Sequence, residues 1–213
     1  GCLGVLDGKY IQVQVPFRHK PHYRNRKGEV SVNVLGFCGP NMNYIFILTG
    51  WEGSTSDSHV LRDAITSKNG LKLPNGQYYL CDCSYTNGLG FLAPYRGVRY
   101  HLDEWGSGAE GSHNYKELYN LRHSKARNAI ERSFIILKKR WVVLSSPAFY
   151  NIGTKNRMIM AYCLLHNFIR TTMVVYPIEV LVEESKINGI VIRAFVCAYF
   201  INNYQEFSSS PAK

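Results

Sequence analysis

Residues 4–13 read Gly-Val-Leu-Asp-Gly-Lys-Tyr-Ile-Gln-Val. With a period of two, Val5, Asp7, Lys9, Ile11 and Val13 fall on one face and Leu6, Gly8, Tyr10 and Gln12 on the other, the pattern of a β-strand. Asp7 interrupts an otherwise mostly apolar face. A carboxylate on the packed side of a sheet is costly unless it binds a cation or is fully hydrogen-bonded, so this strand carries an acid that needs a partner.

The flanking sequence supplies more of a sheet. Val30 to Phe37 and Tyr44 to Trp51 are β-rich runs separated by Gly39-Pro40-Asn41-Met42-Asn43, a turn-forming stretch of hairpin length, which predicts an antiparallel pair. Ser54-Thr55-Ser56-Asp57 offers helix N-caps before a short helix to about Thr66. Gln77 to Cys83 reads as a short strand, too continuously apolar at Tyr78-Tyr79-Leu80-Cys81 for a sheet edge, and it runs into Asp82. Gly88 to Gly111 has no sustained period and reads as an ordered loop. From Asn114 to Trp141 the pattern is helical, with a break expected near His123 and Ser124, and Ile130, Phe134, Leu137 and Trp141 form a core stripe. A last helix is predicted over 154–169, its inner face formed by Met158, Tyr162, Leu165 and Ile169.

Charge is concentrated. The chain has 213 residues, with 25 Lys and Arg against 15 Asp and Glu, a net charge of +10 that favours a polyanionic partner. Lys9, Arg18, Lys20, Arg24, Arg26 and Lys27 lie in a loop with no acid among them, interleaved with Tyr10, Phe17, His19, His22 and Tyr23. Eight more cations fall between Lys116 and Arg140, so fourteen of the 25 lie in two segments, an arrangement that suits phosphate contacts. An apolar fraction of 46% excludes a wholly disordered chain. No apolar run reaches the roughly 18 residues of a spanning helix, and no signal-peptide pattern opens the chain. A soluble intracellular protein with no membrane partner is expected, its six scattered cysteines reduced and mostly buried.

Three carboxylates are chemical candidates: Asp7 on a strand, Asp82 at the end of another, and Glu131 beside the apolar stripe of the long helix. Two aspartates on neighbouring strands and a glutamate from a helix packed over them can share a pair of Mg²⁺ or Mn²⁺ ions, whose preference is for hard oxygen ligands. Such a pair cleaves phosphodiesters by activating water and stabilising the leaving oxygen. On the helix, Ser124, Arg127, Glu131 and Lys138 share one stripe, so the Glu is flanked by cations. The alternative is a surface Glu neutralised by Arg127.

Several motifs carry a resemblance. Leu6-Asp7-Gly8; Gly50-Trp51-Glu52-Gly53-Ser54 followed by Asp57-Ser58; Asp82 with Tyr85; Asn128-Ala129-Ile130-Glu131-Arg132-Ser133-Phe134 with Leu137-Lys138 and Arg140; and Leu164-Leu165-His166-Asn167-Phe168 together closely resemble the PIF/Harbinger-type DDE transposase family, which includes Harbinger transposase-derived nucleases. The 49-residue separation of Asp82 and Glu131 also resembles that family's spacing. The resemblance covers residues 1–172 and leaves 173–213 as a divergent C-terminal tail, with an apolar stretch from Ile187 to Ile201.

What the resemblance implies is an α/β, ribonuclease-H-like mixed sheet flanked by helices, and a nuclear endonuclease that uses two divalent ions to cut DNA and leave a 3′ hydroxyl. It implies that Asp7, Asp82 and Glu131 are the catalytic, metal-binding triad. Asp57 matches as a supporting carboxylate behind them, against the simpler role of a helix N-terminal residue. Lys9, Arg24, Arg26, Lys27, Arg127 and Lys138 are the expected nucleic-acid contacts. In that family a helical DNA-recognition region usually precedes the catalytic domain. With its first acid at position 7 this chain is expected to be N-terminally truncated, leaving sequence choice to a separate DNA-recognition protein. Two other classes stay open: a catalytically silent nucleic-acid-binding or adaptor protein of the same descent, and an enzyme acting on RNA or RNA–DNA hybrid. The sequence sets no oligomeric state.

Overall fold

A computed structural model describes residues 1–100, 114–147 and 149–173. The sequence-predicted tail, with its apolar stretch over 187–201, lies outside the described residues, as does 101–111 of the expected loop. The elements in chain order are β1 (Cys2–Gln12), a 3₁₀ turn (Phe17–His19), α1 (Lys20–Tyr23), β2 (Ser31–Cys38), β3 (Tyr44–Glu52), α2 (Asp57–Thr66), β4 (Tyr78–Leu80), β5 (Phe91–Leu92), α3 (Tyr115–Arg140), a 3₁₀ turn (Val142–Leu144) and α4 (Ile152–Thr172).

The strands form one mixed sheet in the order β3-β2-β1-β4-β5. β1 and β2, and β2 and β3, pair antiparallel, as the hairpin sequence predicts. β4 then joins the other side of β1 in parallel, and β5 joins β4 in parallel. This order, with helices on both faces, is a ribonuclease-H-like α/β fold.

Both faces of the sheet are covered, which is why β2 is buried at every position. On one face Val5, Ile11, Val32 and Val34 pack with Ile130, Phe134 and Leu137 of α3 and Ile159 and Cys163 of α4. On the other, Leu6, Leu35, Phe37, Tyr79 and Cys81 pack with Val60 and Ala64 of α2. The period-two reading of β1 therefore holds: Val5 and Ile11 face α3, and Leu6 faces α2.

The docking of α3 depends on a glycine. A Cβ on Gly36 would stand 2.7 Å from the Phe134 ring, so the ring rests directly on the β2 backbone. Gly36 pairs with Asp7 across the β1–β2 ladder, and directly opposed residues share a face. The contact that seats α3 is thus next to the acid of β1.

Four expectations need correction. α3 is one continuous helix without a break at His123–Ser124. Both residues are buried, and the His123 ring lies 3.0 Å from the Leu92 carbonyl, so tertiary contacts override their weak helix propensity. The 88–111 region contains β5, whose two residues are too few to show a period. The 77–83 strand is shorter, ending at Leu80, which leaves Asp82 in the turn beyond it. Finally, α4 buries Lys155, Ile159, Cys163 and His166, while Leu165 is exposed. Two of these inward positions are polar because their heads bind backbone carbonyls: the Lys155 ammonium donates to Val143 O and Ser146 O, and the His166 ring lies 3.1 Å from Met42 O.

Among the described residues no helix is long and apolar enough to cross a membrane. The five described cysteines are free thiols, and burial pushes those of Cys38, Cys81 and Cys163 up to about 12.

Candidate active site

Asp7 lies in the middle of β1, held by β2 on one side and followed on the other by the parallel strand β4. Val5 pairs with Leu80 at the end of that parallel ladder. Asp7 and Asp82 each lie two residues beyond that last pair, Asp7 still within β1 and Asp82 in the turn after β4, close enough for the Asp82 charge to act on Asp7. Asp82 closes a turn: its carboxylate accepts from the Cys83 N–H, and its carbonyl accepts from the Tyr85 N–H at 3.0 Å. Glu131 comes from α3, one turn before the Phe134 that rests on Gly36, and so arrives over the same patch of sheet.

Arg127 ties two of these acids together. Its Nη1 lies 3.3 Å from Asp7 Oδ1, and its Nη2 donates to Glu131 Oε1 one helical turn on. The Arg127 and Asp7 side chains are 8% and 13% exposed, against 38% for Glu131, so the bridge runs from the interior outward. The guanidinium also lies over the Tyr100 ring, 5.7 Å from its centroid.

The charges of the site act on one another. Burial pushes the Asp7 carboxyl from its ordinary 3.8 up to about 6; Arg127 and Lys9 oppose the shift, and Glu131 and Asp82 add to it. Burial pulls the Arg127 guanidinium down, but Asp7, Tyr100, Glu131 and Asp82 together hold it above its usual value. All three acids therefore share one field, although only Asp7 and Glu131 are bridged.

Asp57 approaches the same strand from behind. A Cβ on Gly8 would lie 2.6 Å from its Oδ1, so only glycine leaves room for the carboxylate there. Asp57 Oδ1 accepts from the Asn33 amide at 2.8 Å, and Oδ2 lies 3.9 Å from Arg26. Tyr85, 2% exposed, has a hydroxyl without a hydrogen-bond partner among the described residues. Its phenol is pushed far above the usual range, first by burial and then by Asp57, Asp7, Cys81 and Asp82. The ring thus feels the charges of Asp57, Asp7 and Asp82 together.

The expected nucleic-acid contacts divide. Arg24, Arg26 and Lys27 are exposed in the turn between α1 and β2, and Lys9 is half-buried on β1 close enough to lower the Asp7 pKa. Arg127 is buried between acids rather than presented to solvent. The Lys138 ammonium donates to the Tyr10 carbonyl at 2.8 Å, fastening the end of α3 to β1. Asn33 and Tyr100 do not stand out in the sequence. Asn33 leaves one signal all the same, a polar residue between Val32 and Val34 in a β-rich run.

The donors have the right chemistry for Mg²⁺ or Mn²⁺: hard carboxylate oxygens, with burial and the neighbouring acids disfavouring the charge of Asp7. Among the described residues no three acidic, His or Cys groups already stand as an ion cage. The Arg127 guanidinium is seated between Asp7 and Glu131.

A sheet of this order, with acids from its first strand, from the turn after its fourth and from the long helix, defines a ribonuclease-H-like domain of acid-centred type. The chain belongs to the Harbinger-type DDE family: the family model described as DDE superfamily endonuclease matches residues 6–167. It is similar to the Homo sapiens protein named "Putative nuclease HARBI1", 30% identical over 171 residues that cover 78% of this chain and 45% of that one. It is also similar to the Arabidopsis thaliana protein named "Protein ALP1-like", 26% identical over 187 residues, covering 79% and 43%. The chain spans less than half the length of these curated relatives. No solved structure matches it.

Proposed function

We propose that this domain is a metal-dependent DNA endonuclease of transposase descent, with Asp7, Asp82 and Glu131 as the ligands of two divalent ions. The observation that carries this reading is the convergence of acids from β1, the β4 turn and α3 in one field, with Asp7 raised to about 6. A bound pair of Mg²⁺ or Mn²⁺ would supply Lewis acidity at the attacking and leaving oxygens of a phosphodiester. Asp7 and Asp82 form the floor of the site and Glu131 its lid from α3. Lys9, beside Asp7, and Arg24, Arg26 and Lys27 on the exposed turn hold backbone phosphates. Asp57 fixes β1 from behind through Asn33. Exposed cations of this kind read phosphate rather than base sequence, so a separate recognition protein chooses the target, and the place of action is the nucleus.

One observation favours a second reading, a catalytically silent DNA-binding protein of the same descent: Arg127 already bridges two of the three acids without any ion. Plasmid nicking in Mg²⁺ or Mn²⁺ separates the two. The endonuclease reading expects nicking that falls by at least roughly a hundredfold in Asp82→Asn, since even indirect supports of a metal site are worth 10–100-fold. DNA bound equally with and without the ions, and never cut, would establish the silent reading. Competition with RNA and hybrid duplexes identifies the substrate strand, and nuclear exclusion of the tagged protein in cells would remove the assigned location.

A further inference from the structure

Arg127 is an unusual neighbour for a metal site. It is buried, it is the only cation in direct contact with Asp7 among the described residues, and its two Nη atoms divide between two of the three candidate ligands. A cation entering between Asp7 and Glu131 meets a space that already holds a positive charge. Positive charges so close repel strongly in a partly dry site, so both cannot keep the same carboxylate oxygens.

We propose that Arg127 is a built-in counterion that competes with divalent cations for Asp7 and Glu131, holding the acids together in the ion-free protein and releasing Glu131 when ions enter. The inference rests on the endonuclease reading of the same three acids. Three features support it. Glu131 is the more exposed of the two bridged acids, and its partner lies one helical turn away, so a change of side-chain rotamer separates them without moving α3. The Asp7 contact, at 3.3 Å, is longer than an ordinary charged hydrogen bond, so Arg127 does not saturate Asp7 and an entering ion can compete for its oxygens. The Tyr100 face gives the guanidinium a second surface on which to rest as its contact with Glu131 is given up. By this account Arg127 is a positioning residue that sets the affinity of the site for ions.

The two roles open to Arg127 predict opposite signs. If it competes with the ions, removing it tightens ion binding. If it holds the acids in place for the ions, removing it weakens binding. The test is Mn²⁺ titration by calorimetry of the full chain at pH 8, alongside the Mn²⁺-dependent rise in Tm, for wild type, Arg127→Gln and Arg127→Lys, each checked for native circular dichroism. Competition expects Arg127→Gln to bind Mn²⁺ roughly tenfold more tightly, the scale of one charged hydrogen bond. Its Tm without metal falls and its Mn²⁺-induced rise grows. Lys keeps a charge but cannot bridge both acids, so Arg127→Lys should bind more tightly than wild type by a smaller factor; it carries the test if the Gln variant does not fold. Equal or weaker Mn²⁺ binding in the folded variants overturns the counterion while leaving the endonuclease reading intact. Absence of Mn²⁺ binding in wild type and variants alike overturns both.

Discussion

The ring of Phe134 lies where a side chain on Gly36 would be, with only 2.7 Å to the Cβ that the glycine lacks. Gly36 faces Asp7 across the ladder and Phe134 follows Glu131 by three residues, so this one contact sets the height of α3 above the acids. Gly36→Ala should lower stability by about 1–3 kcal/mol, the usual scale of overpacking. Urea unfolding measures it, and Phe134→Leu in the same background should recover part of the loss. A Gly36→Ala protein as stable as wild type would mean that α3 is seated elsewhere.

His166 should give the domain an acid-side weakness. Burial pulls its pKa from 6.5 down to about 4; the Met42 carbonyl opposes that shift, and Arg140 and Arg170 add to it. The unfolded chain then binds a proton that the folded one refuses, so this stability is fully present above pH 6.5 and is lost as the pH falls towards 4. The window is worth on the order of 3 kcal/mol. The quantity to follow is the stability difference between wild type and His166→Gln, because Asp7, shifted upward, titrates with the opposite sign over part of the same range. A difference that stays constant from pH 7 to pH 4 would contradict the assignment.

Lys155 is fully buried on α4, with its ammonium on two carbonyls of the segment after α3. Lys155→Met keeps most of the volume but leaves both carbonyls without that donor, at a cost of about 1–3 kcal/mol. Thermal unfolding should place this variant clearly below wild type, and equal Tm values would show the carbonyls to be satisfied otherwise.

DNA binding through the exposed turn should be non-specific and steeply salt-dependent. Replacing Arg24, Arg26 and Lys27 with Gln removes up to three phosphate contacts, each worth about 0.9 in the slope of log K against log salt. Fluorescence anisotropy on unrelated duplexes reads the slope. An unchanged slope would move the DNA path away from this turn.

Much of this could be read from residues alone, and for a physical reason. Asp7 betrays itself because strand alternation is strict, and one acid among Val5, Ile11 and Val13 is visible against it. Glu131 is found because Ile130, Phe134 and Leu137 orient α3 unambiguously. What escaped was held by long-range hydrogen bonds. Lys155 and His166 look like surface residues until the carbonyls of Val143 and Met42 are known to lie beneath them, which shifts the inner face of α4 by one position. The β5 strand owes its existence to pairing with β4, since two residues carry no pattern of their own. The sequence shows the charge of Arg127, but only the fold reveals that it points inward.

The brevity of β4 gives the acid cluster an uneven mechanical footing. Asp7 is riveted into a long ladder, whereas Asp82 hangs from a turn just beyond a strand of three residues. Substitutions at the exposed Cys83 and Ser84 of that turn would therefore retune the spacing of the acids with little effect on the sheet. Among descendants of this fold, that short turn is where chemistry could be silenced or sharpened while the domain went on folding unchanged.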